Sequence, residues 1–127
     1  MEHGIGGRIA VVTDANALMM PFQFSINIDL ELARLLGSFE IVVPSSVIVE
    51  LKRVAAEQKA SQAKGALKLA AKYRTLKVDG TGDDAVLAAA CELGAVLLTN
   101  DAGLRRRARE AGLRTVCLRG RSHLAIV

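Results

Sequence analysis

The chain has 127 residues, 51% of them hydrophobic and 24% charged, which fits one domain with its own core and excludes general disorder. Two cysteines exclude a disulfide framework, and two histidines near opposite ends argue against a Cys/His zinc site. The net charge of +4 permits a polyanionic partner, while 3% aromatic residues disfavour the stacking platforms of sheet-type single-strand binders.

Strand and helix signals alternate along the chain. Arg8 to Thr13 is a β-branched run that stops at Asp14, and Ala15 to Ile26, which contains Pro21, reads as a loop or an irregular helix. Ile28 to Leu36 has helical apolar spacing and a C-terminal stop at Gly37. Phe39 to Val43 is a second apolar strand closed by Pro44. Ser45 or Ser46 can then cap a helix through Glu50 to about Gln58.

Ser61 to Tyr73 predicts a further helix, weakened by Gly65. Leu76 to Val78 is a short strand and Gly80 to Gly82 a turn. Asp84 to Leu93 is an alanine-rich helix, and Ala95 to Leu98 is a strand that stops at Thr99, Asn100 and Asp101. Leu104, Ala108 and Ala111 keep helical spacing, Leu113 to Leu118 is a last strand, and a tail follows. The strands are apolar on both faces, as in a parallel sheet covered on both sides. The expected fold is an α/β class, three-layer α/β/α sandwich in a single domain over 1–127, with its core at about 8–118. No uncharged apolar run approaches the ~18 residues of a membrane span, and no signal-peptide pattern opens the chain, so a reducing, cytoplasmic setting is expected.

Ligands of open parallel sheets bind outside the carboxyl ends of the strands. Asp14 and Asp101 each follow a strand. Asp83 and Asp84 open a helix, and Glu50 lies about one turn into another. All can share one edge, where their repulsion calls for cations. A few carboxylates plus water and phosphate suit Mg²⁺ or Mn²⁺. Asn16, Thr99 and Asn100 are polar groups at the same edge that can orient carboxylates or water.

Plainer roles compete. Asp14 and Asp101 can be turn or cap residues, Thr81 and Asp84 can form a capping box, and Asp83 can simply complement a helix dipole. Glu50 can be an ordinary surface residue, and Asn16, Thr99 and Asn100 ordinary turn residues. From Asp101 onward, Arg105, Arg106, Arg107, Arg109, Arg114, Arg119 and Arg121 stand against two acids. The first four are either a solvated helix face or phosphate contacts, and Lys52 and Arg53 can reach the same groove. Cys91, Cys117, Met19 and Met20 read as core residues.

The runs TDANALMMPFQ, SSVIVELKR, GDDAVLAAA and LLTND resemble, in order, the acidic motifs of the PIN-domain nucleases. The resemblance spans about Arg8 to Leu118. LMMPFQF and RRRAREAG resemble the archaeal single-domain members, which in turn look like the small-subunit processome PIN nuclease that cleaves precursor ribosomal RNA. The resemblance implies a Mg²⁺- or Mn²⁺-dependent endoribonuclease acting on RNA, single-stranded or pre-ribosomal. It puts Asp14, Glu50, Asp84 and Asp101 at the metal-binding positions, with Asp83 as an extra ligand or supporting group. Many members carry another acid where this chain has Gly103, a departure that weakens the case for a tightly bound second metal. Three readings stay open: RNA processing with a ribosome-assembly partner, a toxin held by an antitoxin, and a non-catalytic RNA-binding scaffold. A homodimer is compatible with the aliphatic surface. A phosphotransfer domain fits poorly, because the paired acids come late in the chain and the first strand ends in TDANA rather than DxD.

Overall fold

The computed structural model describes residues 4–5, 7–58 and 60–127, so His3 lies outside the described residues. Its strands are β1 (Gly4–Ile5), β2 (Arg8–Thr13), β3 (Phe39–Pro44), β4 (Arg74–Leu76), β5 (Val96–Leu98), β6 (Thr115–Arg119) and β7 (His123–Ile126). The helices are α1 (Ala15–Gln23), α2 (Ile28–Leu36), α3 (Ser45–Gln58), α4 (Ser61–Ala70), α5 (Gly82–Leu93) and α6 (Ala102–Glu110). The sheet runs in the order β4-β3-β2-β5-β6-β7, and β1 pairs with the start of β2. Every pairing among β2 to β6 is parallel, with helices flanking the sheet.

Val11, Val12, Val42, Val43, Leu97 and Leu98 are fully buried, so the middle strands are covered on both faces. This burial is the main stabilising term, at about 1.5–3 kcal/mol for each large aliphatic side chain. Parallel strands need crossover connections, and the amphipathic helices supply them.

The central sheet is parallel as expected, and two short antiparallel strands are added to it, β1 beside the start of β2 and β7 at the edge beyond β6. The segment read as a tail returns as β7 after a three-residue hairpin loop, in which Gly120 adopts φ +63°. Its outer edge is closed by side chains of α2. The Leu124 N–H donates to Glu31 Oε1 at 2.8 Å, and Arg34 Nη2 donates to the Leu124 carbonyl at 2.8 Å. The pair takes the place of a further strand and satisfies groups that would otherwise be open to pairing.

Other boundaries shift for local reasons. Residues 15–23 are helical although Pro21 removes one backbone donor, because Asp14 caps the first turn and Leu18, Met19 and Met20 are buried. The helix begun at Ser61 ends at Ala70 rather than Tyr73, whose hydroxyl donates to Asp29 at 2.9 Å. The strand expected at Leu76–Val78 lies at Arg74–Leu76, since the Val78 N–H is taken by Ser45 Oγ at 3.0 Å. Cys117 is buried as expected, but Cys91 is exposed, one position beyond the buried Ala89–Ala90 stripe of α5. Gly65 has a packing role: a Cβ there would lie 2.7 Å from the Phe22 ring of α1.

Two measurements check this account. Leu97→Ala, at a fully buried position, should cost about 2–5 kcal/mol in denaturant unfolding. The hydrogen bonds from Arg34, then from Leu124, hold the Glu31 carboxyl at about 2, below its ordinary 4.5. The clamp's contribution is therefore complete above pH 4.5 and lost as pH falls through about 2. Glu31→Gln should lower the melting temperature at neutral pH, with the difference from the parent vanishing on acidification across that window.

Candidate active site

The strand order reverses between β2 and β5. The chain leaves β2 toward β3 and β4 on one side, then returns to β5 and β6 on the other. Such a reversal opens a crevice at the carboxyl ends of the two strands. The register pairs Thr13 with Leu98, so Asp14 and Thr99 leave their strands side by side.

Asp14 is buried there and held from two directions. Its Oδ1 accepts from the Ala17 N–H at 2.8 Å, capping α1, and its Oδ2 accepts from the Thr99 hydroxyl. Thr99 Oγ1 in turn accepts from the Asp101 N–H at 3.1 Å. Asp101 caps α6 through Oδ1, which accepts from the Leu104 N–H at 2.8 Å. Both aspartates are therefore caps, and a cap uses only part of a carboxylate's four acceptor sites. Burial pushes the Asp14 pKa up, the bonds from Thr99 and Ala17 oppose this, and the nearby charges of Asp83 and Asp101 add to the rise.

A cleft of about 240 Å³ opens beside Asp14 and is lined by Asn16, Ser46, Glu50, Thr81 and Asp83. Asp84 does not line it. Successive helix residues point about 100° apart, and Asp84 is directed to Arg107, at 2.6 Å, with its side chain 85% exposed. Asp101 also lies outside the lining and is exposed, on the β5 side. Glu50 lines the cleft while paired with Arg53 at 2.7 Å.

The supporting residues divide. Asn16 lines the cleft and Thr99 fixes Asp14. Asn100 instead ties β6 to α1: its Oδ1 accepts from the Leu118 N–H at 2.8 Å, and its Nδ2 faces Met20 Sδ at 3.0 Å. Among the basic candidates, Arg53 bonds Glu50 and Glu57, Arg107 bonds Asp84, and Arg105 donates to the Asn100 carbonyl at 2.9 Å. Lys52 lines a separate apolar groove between α3 and α4. Arg106 and Arg109 are exposed on α6.

Three expectations about caps change. Ser45 is engaged with Val78, Thr81 makes no side-chain cap bond, and no capping box with Asp84 forms. Ser46 Oγ is buried in the cleft without a partner among the described residues. Sequence reading treated Ser46 only as a cap. Its four-residue spacing from Glu50, which puts both on one helix face, was the available signal.

Among the described residues, no three acidic, histidine or cysteine side chains gather closely enough to enclose a metal by themselves. The donors are all oxygen, the central carboxylate is buried and feels the charges of Asp83 and Asp101, and Ser46 Oγ is unpartnered among the described residues. This set fits a hard cation that keeps several waters, as Mg²⁺ does, and not a closed zinc site.

A family model described as PIN like domain matches residues 11–121. The chain belongs to the PIN-domain family. It is 35% identical over 127 residues to Ribonuclease VapC4 of Methanocaldococcus jannaschii, covering 91% of this chain and 95% of that protein. It is 30% identical over 109 residues to Ribonuclease VapC9 of Archaeoglobus fulgidus, covering 84% of this chain and 79% of that one. Among solved structures, the PIN domain endonuclease Utp24 superposes with a TM-score of 0.78 at 19% identity, covering 92% of this chain and 90% of the other. A domain of a functionally unknown M. jannaschii protein superposes at 0.61 and 16% identity, covering 88% and 92%. The likeness to Utp24 establishes the PIN fold, a mostly parallel sheet with flanking helices.

The Asp14 environment makes a prediction. Its folded pKa is raised above the ordinary 3.8, so ionised Asp14 opposes folding; stability is full below that value and lost as pH rises through the folded pKa. Asp14→Asn keeps a good cap and removes the charge. In chelator at pH 7 it should melt above the parent, and the gap should close toward pH 4.

Proposed function

We propose that the protein is a metal-dependent endoribonuclease that hydrolyses RNA phosphodiester bonds in RNA processing. The observation that carries this reading is the buried Asp14 carboxylate at the β2–β5 reversal, beside a cleft that Glu50 and Asp83 also line. Family membership and two relatives named as ribonucleases support the reaction class.

A bound Mg²⁺ or Mn²⁺ would supply positive charge for the phosphate oxygens and favour deprotonation of water. Asp14, Asp83 and Glu50 would hold it, with Asp101 reaching from the β5 side. Asp84 would join by giving up Arg107, an exposed pair that costs little to open. Thr99 keeps Asp14 in one rotamer, so the carboxylate needs no reorganisation as charge develops. Ser46 Oγ and Asn16 line the cleft where a water or a phosphate oxygen would sit. Arg106 and Arg109 are placed to attract flanking phosphates. Water adds to phosphorus and the 3′-oxygen leaves with a proton, giving 5′-phosphate and 3′-hydroxyl ends.

Kinship with the two VapC ribonucleases favours a second biology for the same chemistry, a toxin restrained by an antitoxin. Induced expression would separate the two. Growth arrest that Asp14→Asn abolishes supports a toxin, and unaffected growth supports RNA maturation, with a ribosome-assembly partner as its setting. We also propose one domain, a cytoplasmic location and a homodimer. No helix among the described residues is long and apolar enough to cross a membrane.

The reaction is tested with end-labelled single-stranded RNA. Cleavage should require Mg²⁺ or Mn²⁺, stop in EDTA, and fall about 10²-fold or more in Asp14→Asn. Mn²⁺ should also raise the melting temperature of the parent more than that of the variant. Undiminished cleavage in EDTA would refute the metal mechanism. Absence of cleavage with any ion, in a folded protein that binds RNA, would support the scaffold.

A further inference from the structure

Basic and aromatic side chains meet on the far side of Asn100 from the acidic cleft. One pocket, of about 460 Å³, is lined by Asn100, Arg105, Arg119 and Phe24. A second, of about 280 Å³, is lined by Phe22, Phe24 and Arg121. Phe24 lines both, so the two pockets adjoin at its side chain and are together called the groove. It begins at Asn100, the neighbour of the Thr99 that holds Asp14, and consecutive Cα atoms are only about 3.8 Å apart. The groove therefore continues the catalytic edge of the sheet toward the β6–β7 hairpin.

Its charge is uncommitted. Arg107, Arg53 and Arg34 are each neutralised by a carboxylate. Arg119 and Arg121 are exposed and make no ion pair or side-chain hydrogen bond to a described residue. Arg105 donates to the neutral Asn100 carbonyl and to no carboxylate, its buried Nε has no partner among the described residues, and no acidic side chain lines either pocket. Arg105 and Arg119 line one pocket and Arg121 the adjoining one, so cations from α6, β6 and the hairpin border both, which attracts a chain of anions.

The rings add a second feature. The chain has four aromatic residues, and two of them line this groove. Phe22 is 45% exposed, and its ring is seated against the α4 backbone at Gly65, where a Cβ would lie 2.7 Å away. A glycine inside a helix lowers helix stability, and here its missing Cβ makes room for the ring. A fixed, open ring beside cations suits an unpaired nucleobase.

We propose that this groove is a subsite for a single-stranded RNA segment flanking the cleaved bond, with a base on Phe22 and phosphates on Arg119 and Arg121. The proposal rests on the ribonuclease reading for its substrate. Duplex RNA is excluded as the occupant, because its stacked bases cannot offer a face to the ring.

Binding of a fluorescent 12-nucleotide single-stranded RNA to the full chain in EDTA tests it by anisotropy at several salt concentrations. Arg119→Gln with Arg121→Gln should weaken binding at least tenfold and reduce the slope of log K against log salt by about 0.7 for each phosphate no longer neutralised. Phe22→Leu should weaken binding about tenfold with the slope unchanged, and Phe22→Tyr should restore it. If all these variants bind as the parent does, the groove is empty of RNA and the proposal is overturned. The same holds if only Arg106→Gln with Arg109→Gln weakens binding, which would put the strand on the outer face of α6. A parent that binds in the groove but cleaves nothing with any divalent ion leaves the subsite standing and removes the nuclease reading.

Discussion

The site depends on one arrangement, a carboxylate buried where two parallel strands end side by side. Asp14 receives the Ala17 N–H and the Thr99 hydroxyl, and so links the start of α1 to the end of β5. Two bonds do not offset the loss of water around a charge that also feels Asp83 and Asp101. The fold keeps an unfavourable group because the strands, helices and caps around it are over-determined. The proposed cation would relieve that repulsion, which is how the sheet topology serves the proposed chemistry.

Charge pairing also sorts the arginines. A composition of +4 tells little until one sees which cations are already neutralised. Arg53, Arg107 and Arg34 serve as struts between carboxylates and helices. Among the described arginines, Arg106 and Arg109 on the outer face of α6 and Arg119 and Arg121 at the β6–β7 hairpin are exposed and make no ion pair. Both basic regions lie on the β5–β7 side of the acidic cleft, so positive and negative charge are segregated along one edge of the sheet.

Much of this was legible from residue order. The aliphatic runs of β2, β3 and β5 and their closure by Asp14, Pro44 and Thr99 define parallel strands and their carboxyl ends. The glycines at 37 and 94 mark helix ends where the structure has them. Rotation within α5 was not legible: Asp83 and Asp84 are neighbours in the chain, yet one lines the cleft and the other meets Arg107. That choice depends on α6, a helix some twenty residues further on. Asn100 was similarly ambiguous, since its attachment to Leu118 arises only when β6 is in register. The last strand was missed because His123–Ile126 is short and its partner for the outer edge, the Glu31–Arg34 pair, is about 90 residues away in the chain.

That clamp also governs how copies of the protein can meet. An open sheet edge is the usual place for two copies to join into a continuous sheet, or to exchange a terminal strand. Here both polar groups of Leu124 are already satisfied from within the same chain. Association through β7 would require breaking those bonds first. Val49 on α3 and Leu30 on α2 stand exposed without such a block.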